Sequence, residues 1–97
     1  MEKINYLKDI YKKSHDLNIR VIMKLYDYNF KGKYKKVLER LLEMEEVVYS
    51  EVGRIYVERL TEDNKNIDKV IAKLEANMTE LQGIEAEISS ENKFTLN

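Results

Sequence analysis

Residues 2–29 read EKINYLKDIYKKSHDLNIRVIMKLYDYN, and the fold class follows from this stretch. Positions suited to one buried face recur at alternating steps of three and four residues, which is the period of an amphipathic α-helix. This face, the first seam, comprises Ile4, Leu7, Tyr11, Ser14, Asn18, Val21, Leu25 and Tyr28. Two of its members, Ser14 and Asn18, are polar. The stretch therefore predicts a long helix over residues 2–29 whose seam packs against other helices.

Two further helices are predicted downstream, over residues 34–60 and 66–89. The first break is placed at Gly32, because glycine readily adopts the left-handed conformation that ends many helices. The second break is placed near Asn64, in the polar run of residues 61–66, which contains several residue types that cap helix amino termini. Residues 91–97 are predicted to form a flexible tail.

The second and third predicted helices also carry apolar stripes at helical spacing. The stripe of the second helix comprises Tyr34, Leu38, Leu41, Val48, Val52 and Ile55, and Glu45 interrupts it. The seam of the third helix comprises Ile67, Ile71, Leu74, Met78, Leu81 and Ile88. Gly53 lies within the second helix, where it either allows another backbone to approach closely or is simply tolerated at a cost of roughly 1 kcal/mol.

These patterns predict an all-α fold: a three-helix bundle of antiparallel, coiled-coil-like helices that forms a single domain over residues 1–97. The alternative is a helical hairpin with one long second helix, continuous from Tyr34 to about Ser89. Apolar positions keep their phase across the second break if Asn64 is accepted as a seam residue. The absence of proline from the chain agrees with either arrangement.

Composition restricts the compartment and the chemistry. The chain has no cysteine, which excludes disulfides, thiolate zinc sites and cysteine nucleophiles. No apolar run exceeds three residues, whereas a spanning helix needs roughly 20. The charged amino terminus is not typical of a secretory signal. We therefore expect no membrane association and a cytoplasmic location.

The net charge of −1 conceals an asymmetry along the chain. Residues 1–36 hold ten Lys/Arg and four Asp/Glu, whereas residues 37–97 hold seven Lys/Arg and fourteen Asp/Glu. The favoured interpretation is that a basic first helix packs beside acidic ones with complementary charges flanking the seams. The other interpretation is that the basic half binds an anionic partner.

No set of residues predicts catalysis or cofactor binding. His15 is the only histidine, and no second histidine or cysteine exists to build a metal site with it. The acidic residues Glu39, Glu43, Glu45 and Glu46 lack the Glu-x-x-His pairs of di-iron bundles. Phosphate-binding loops and nucleophile elbows are absent. The prediction is a non-enzymatic protein without catalytic residues, metal, cofactor or small-molecule substrate.

Tyrosines and small residues mark candidate interaction surfaces. Tyrosine suits half-buried interface positions because its ring packs while its hydroxyl stays hydrated. The predicted interface candidates are Tyr26, Tyr28, Phe30, Tyr49, Val52 and Tyr56, joined by the small residues Ala72, Ala76 and Gly83. They predict a protein–protein interaction module, such as a small adaptor, chaperone or stoichiometric inhibitor. Its partner is another protein, a second copy of the chain in a homo-oligomer, or both.

The alternative function is a small nucleic-acid-associated protein. Lysines alternate with two aromatic residues, Phe30 and Tyr34, at the first turn, a composition that contacts phosphates and stacks on bases. The residues concerned are Lys31, Lys33, Tyr34, Lys35 and Lys36. We rank this alternative second because the acidic remainder of the chain repels a polyanion within a Debye length of roughly 10 Å at 0.1 M salt.

Overall fold

The structure is a computed structural model that describes residues 2–27 and 31–95, with the side chains of residue 31 and residues 91–95 left out. It contains four helices within these ranges: α1 (Glu2–Asp27), α2 (Lys31–Val47), α3 (Glu51–Glu58) and α4 (Ile67–Thr95). No strand occurs in the described residues. The predicted all-α class and the packing of the helices against one another are confirmed.

The helices form three arms in an elongated bundle of 52 × 22 × 15 Å. The α2–α3 arm runs antiparallel to α1, since Asn18 Nδ2 donates to the Leu41 carbonyl (3.1 Å) while the earlier Tyr11 donates to the later Val48 carbonyl (2.8 Å). The α4 arm runs parallel to α1, and ion pairs between these two helices stand at both ends of the bundle. They are Lys3–Asp68 at 3.2 Å and Arg20–Glu85 at 2.6 Å. The basic first helix thus packs beside an acidic partner, as the charge asymmetry predicts.

The interior consists of two apolar cores with polar side chains between them. The Leu7 core comprises Leu7, Ile10, Tyr49, Val57, Leu60, Ile67 and Leu74. The Val21 core comprises Leu17, Val21, Ile22, Leu25, Tyr34, Leu41, Leu81, Ile84 and Ile88. Met78 packs against both cores. Three buried polar residues, Ser14, Asn18 and Asn77, lie between the two cores and form the polar layer. Two of them are the polar members of the first seam.

The predicted second helix over residues 34–60 is divided at residues 48–50, so the prediction of one unbroken helix is wrong. Ser50 has an extended backbone and caps α3, because its hydroxyl accepts a hydrogen bond from Gly53 N (3.2 Å). Gly53 is required by close approach: a Cβ there would lie 2.1 Å from the carbonyl oxygen of Val48. The structure therefore supports the first interpretation of Gly53, in which the glycine allows another part of the backbone to approach closely.

Of the two predicted turns, the first overlaps residues 28–30, which lie outside the described residues. The structure describes α2 from Lys31, so Gly32 lies in the first turn of α2 and is not left-handed. That part of the prediction is wrong because the glycine starts a helix instead of ending one. An irregular residue, Tyr34 (φ −108°, ψ 15°), follows it.

The second turn separates α3 from α4 between Glu58 and Ile67, which rules out the alternative hairpin with one long helix. Asn64 Oδ1 accepts a hydrogen bond from Asn66 N (2.8 Å) and holds this turn. α4 continues to Thr95, so five residues of the predicted tail are helical. Residues 96–97 lie outside the described residues.

Candidate functional site

An apolar groove opens between α3, the end of α2 and the first half of α4. We call it the α3 groove; its volume is about 330 Å³. Its lining residues are Tyr11, Val47, Val48, Val52, Gly53, Tyr56, Val57, Val70, Lys73 and Leu74. Three of the apolar side chains are largely exposed: Val47 at 61%, Val52 at 78% and Tyr56 at 49%. Contiguous exposed apolar surface of this kind marks binding sites on soluble proteins.

The groove exists because the chain breaks before α3. In one unbroken helix, Val52 would continue the buried stripe that runs through Leu41 and Val48. The break resets the phase, so that Val57 and Leu60 become the buried residues and Val52 turns outward. Gly53, without a side chain, lets α3 sit against the Val48 carbonyl. Val52 and Tyr56 therefore line the groove, and their predicted interface role stays a prediction.

The rim of the α3 groove carries one cation, Lys73, and continues along α2 past Arg40 and Glu43. A shallower cavity of about 250 Å³ continues between α2 and α4, and Val47, Val48 and Lys73 line both. Arg40, at the far side of this second cavity, pairs with Glu80. Lys73 has no acidic partner among the described residues. The groove therefore offers an apolar floor with an uncompensated ammonium group at its edge.

Tyr49 is not an interface residue, and that prediction is wrong. Its side chain is only 7% exposed and packs in the Leu7 core. The hydroxyl donates to Ser14 Oγ (2.9 Å) and accepts from Asn77 Nδ2 (3.0 Å). Burial raises the pKa of Tyr49 above its usual value. The tyrosine bonds to two residues of the polar layer, because the break at residues 48–50 turns its side chain inward.

The single histidine lies beside the polar layer and is half-buried. The His15 ring stacks on Tyr49 with centroids 4.8 Å apart, and its Nε2 lies 2.8 Å from Glu45 Oε1. The other oxygen of Glu45 accepts from Asn18 Nδ2 at 2.7 Å. This explains why Glu45 interrupts the apolar stripe. A buried atom, Asn18 Oδ1, has no partner within the described ranges, which costs stability.

No metal site is evident in the described part of the chain. No group of three or more His, Cys, Asp or Glu side chains there converges on a position that suits a metal ion. The His15–Glu45 pair lies against Tyr49, whose hydroxyl bonds to Ser14, and against Asn18, whose Nδ2 donates to Glu45. The sequence indicates this arrangement in one way: the polar residues Ser14, Asn18 and Glu45 occupy positions on stripes that are otherwise apolar.

The remaining interface candidates do not converge on the α3 groove. Tyr26 is exposed on α1, where 100° helical spacing places it on one face with two other exposed residues, Ile19 and Met23. Tyr28 and Phe30 lie outside the described residues. The small residues Ala72, Ala76 and Gly83 all occupy exposed positions on α4. We call the row of Ile19, Met23 and Tyr26 the α1 row. Of these three residues, only Tyr26 was predicted from the sequence as an interface candidate.

Among the described residues of the lysine-rich turn, no accessible aromatic side chain is available for base stacking, and Phe30 lies outside the described residues. Tyr34 is buried in the Val21 core, so its predicted stacking role is wrong. Lys33 pairs with Glu87 of α4, and its amine lies 5.4 Å from the Tyr34 ring centroid. Lys35 and Lys36 are exposed. The side chain of Lys31 lies outside the described residues. Within the described part of this candidate site, Lys35 and Lys36 are the exposed lysines for which the structure gives no ion pair.

No family model, curated protein or solved structure matches this chain. Among the described residues, no helix combines the length and apolarity needed to cross a bilayer.

Proposed function

We propose that this protein is a non-enzymatic interaction module that binds an amphipathic helix of a partner protein in the α3 groove. The observation that carries this proposal is the exposure of Val47, Val52 and Tyr56 around one continuous apolar depression. An apolar helix face laid into a hydrophobic groove is a recurring mode of peptide recognition. The class includes adaptors, chaperones and stoichiometric inhibitors.

Burial of the exposed side chains supplies the driving force. Fully burying a valine or a similar apolar side chain contributes about 1.5–3 kcal/mol. The three side chains are already partly covered, so a partner that covers the rest gains on the order of 3 kcal/mol from them. Val57 and Leu74 form the floor of the groove and are already buried. They therefore define the shape of the groove but contribute little additional burial when a partner binds. This magnitude fits a reversible contact that needs additional polar interactions.

The rim indicates the chemistry of the partner helix. Lys73 lines the groove without an acidic partner among the described residues. A partner helix that carries an acidic residue beside its apolar face would pair with this ammonium group. A second copy of the chain is the other candidate occupant, because the α1 row presents Ile19, Met23 and Tyr26 on one exposed helix face. Self-association of the chain therefore stays a prediction.

The test compares two substitutions that place the same charge on two exposed apolar positions. Val52→Asp lies in the α3 groove and Met23→Asp lies in the α1 row, and both positions are exposed. A photo-reactive residue placed at position 52 first captures the partner in cells, and mass spectrometry locates the captured segment. A synthetic peptide of that segment is then titrated against each purified variant by calorimetry. We expect an amphipathic helical segment whose binding is lost in Val52→Asp and retained in Met23→Asp.

Two results would contradict the proposal. One is a captured segment that binds Val52→Asp as tightly as the unmodified protein. The other is loss of binding in Met23→Asp alone, which would place the interface on the α1 row. Sedimentation of the purified chain shows whether the captured segment comes from a second copy. Circular dichroism confirms that both variants are folded, as their exposure predicts.

A further inference from the structure

A second groove, here called the α1–α3 groove, lies on the other flank of α3. Its volume is about 550 Å³. Helical spacing of 100° per residue places Arg54 and Glu58 on this flank of α3 and Val52 on the opposite one. The floor consists of Tyr11 and Val57, which also line the α3 groove. The two grooves are thus neighbours with different chemistry.

Basic side chains dominate the walls of the α1–α3 groove. Lys8, Lys12 and His15 come from α1 and Arg54 comes from α3, with Glu58 as the one acidic lining residue. Glu58 is already engaged, because the Arg54 guanidinium donates to its carboxylate at 2.8 Å. His15 directs Nε2 away to Glu45. The uncompensated charge of the groove therefore resides on Lys8 and Lys12.

These two lysines are exceptional on their own helix. Every other cation of α1 has an acidic partner: Lys3–Asp68 at 3.2 Å, Lys13–Asp9 at 2.9 Å, and Arg20 and Lys24 with Glu85 at 2.6 and 2.9 Å. Lys8 and Lys12 have none among the described residues. Like charges four residues apart on a helix destabilise it slightly, so an anion between them would relieve a local repulsion.

We propose that the α1–α3 groove binds an acidic peptide segment whose carboxylates pair with Lys8 and Lys12. Four residues of helix separate the two lysines by about 6 Å along the axis. This spacing matches carboxylates four residues apart on a helix or two apart on an extended strand, at about 3.3 Å per residue. The apolar floor of Tyr11 and Val57 accommodates the aliphatic part of a glutamate side chain.

Carboxylates suit the groove better than phosphates. Phosphate is most often clamped by an arginine that donates two parallel hydrogen bonds. The only arginine here, Arg54, is held by Glu58 and stands 3.9 Å from Glu51. Two isolated lysines also do not form the extended basic track that a nucleic-acid backbone follows. An acidic peptide is therefore favoured over an oligonucleotide.

The experiment is an NMR titration of the ¹⁵N-labelled full chain with hexaglutamate at low salt. We expect saturable shifts of the backbone amides of residues 8–15 and 54–58. Lys8→Gln/Lys12→Gln should weaken binding about tenfold, since each exposed ion pair is worth up to about a factor of five. The matched control is Lys35→Gln/Lys36→Gln, which removes the same charge from two exposed lysines at the far end of the bundle and should leave the affinity unchanged.

Three results would overturn this proposal: no saturable shift with hexaglutamate, equal weakening by the two double variants, or tighter binding of an oligothymidylate than of hexaglutamate at Lys8 and Lys12. The first means that no site exists, the second that attraction is non-specific, and the third that the site recognises phosphate. Val52→Asp is expected to retain the hexaglutamate shifts. This separates the failure of this site from a failure of the α3 groove.

Discussion

Replacement of Gly53 by alanine tests the architecture around the α3 groove, because helix propensity and packing predict opposite signs. Alanine in place of glycine within a helix stabilises it by about 1 kcal/mol. At Gly53, however, a Cβ would lie 2.1 Å from the Val48 carbonyl oxygen and 2.7 Å from the Val47 carbonyl oxygen. Both neighbours are backbone atoms, so no flexible side chain can move away.

Overpacking of this kind costs typically 1–3 kcal/mol, and a clash with backbone belongs at the upper end of that range. After the gain in propensity is subtracted, we expect Gly53→Ala to lower the free energy of unfolding by about 2 kcal/mol. For a domain of this size, that corresponds to a melting temperature lower by roughly 10 °C. Urea titration followed by circular dichroism at the helical band measures the change.

The matched control is Gly83→Ala, within α4. Nothing lies within 4 Å of the position that its Cβ would occupy, so only the propensity term applies. We expect this variant to gain about 1 kcal/mol in unfolding free energy. If Gly53→Ala were as stable as Gly83→Ala, the Val48 carbonyl would not pack against α3. The division of the second arm at residues 48–50 would then be refuted.

Two further stability predictions follow from buried and bridging polar groups. Tyr49→Phe should cost about 1–3 kcal/mol, because it removes the acceptor of the buried Asn77 Nδ2 and the donor to Ser14 Oγ, which keeps only its bond to the Tyr11 carbonyl. Tyr26→Phe, at an exposed position, should be neutral in the same urea titration. The Arg20 guanidinium and the Lys24 ammonium lower the pKa of Glu85 from 4.5 to about 2, so its contribution is complete above pH 4.5 and is lost as the pH falls toward 2. We expect Glu85→Gln to cost about 1 kcal/mol at neutral pH after allowance for solvent screening, and nothing near pH 2. A difference between the two proteins that grew on acidification would contradict this assignment.

Helical periodicity determined the α1 seam, because α1 is one uninterrupted helix with a single buried face. Leu7, Val21 and Leu25 are buried as their spacing predicts, and so are the polar positions Ser14 and Asn18. The turn around Asn64 was likewise predictable, since local cap-forming residues act through hydrogen bonds within a few positions, as Asn64 Oδ1 does with Asn66 N. Both features depend on interactions that are short in sequence.

The tertiary structure alone decided which face of the second arm is buried. Two rows of residues at helical spacing could each form the buried face of this arm. One row runs through Val48 and Val52, and the other runs through Tyr49 and Tyr56. The break before α3 divides both rows, so that Tyr49 is buried while Val52 and Tyr56 line the groove. The break is stabilised by the fit of Gly53 against the Val48 carbonyl and by the bonds of Tyr49 to Ser14 and Asn77 on two other helices. Periodicity within one helix carries no information about such contacts, because they depend on side chains 28 and 35 residues away in the chain.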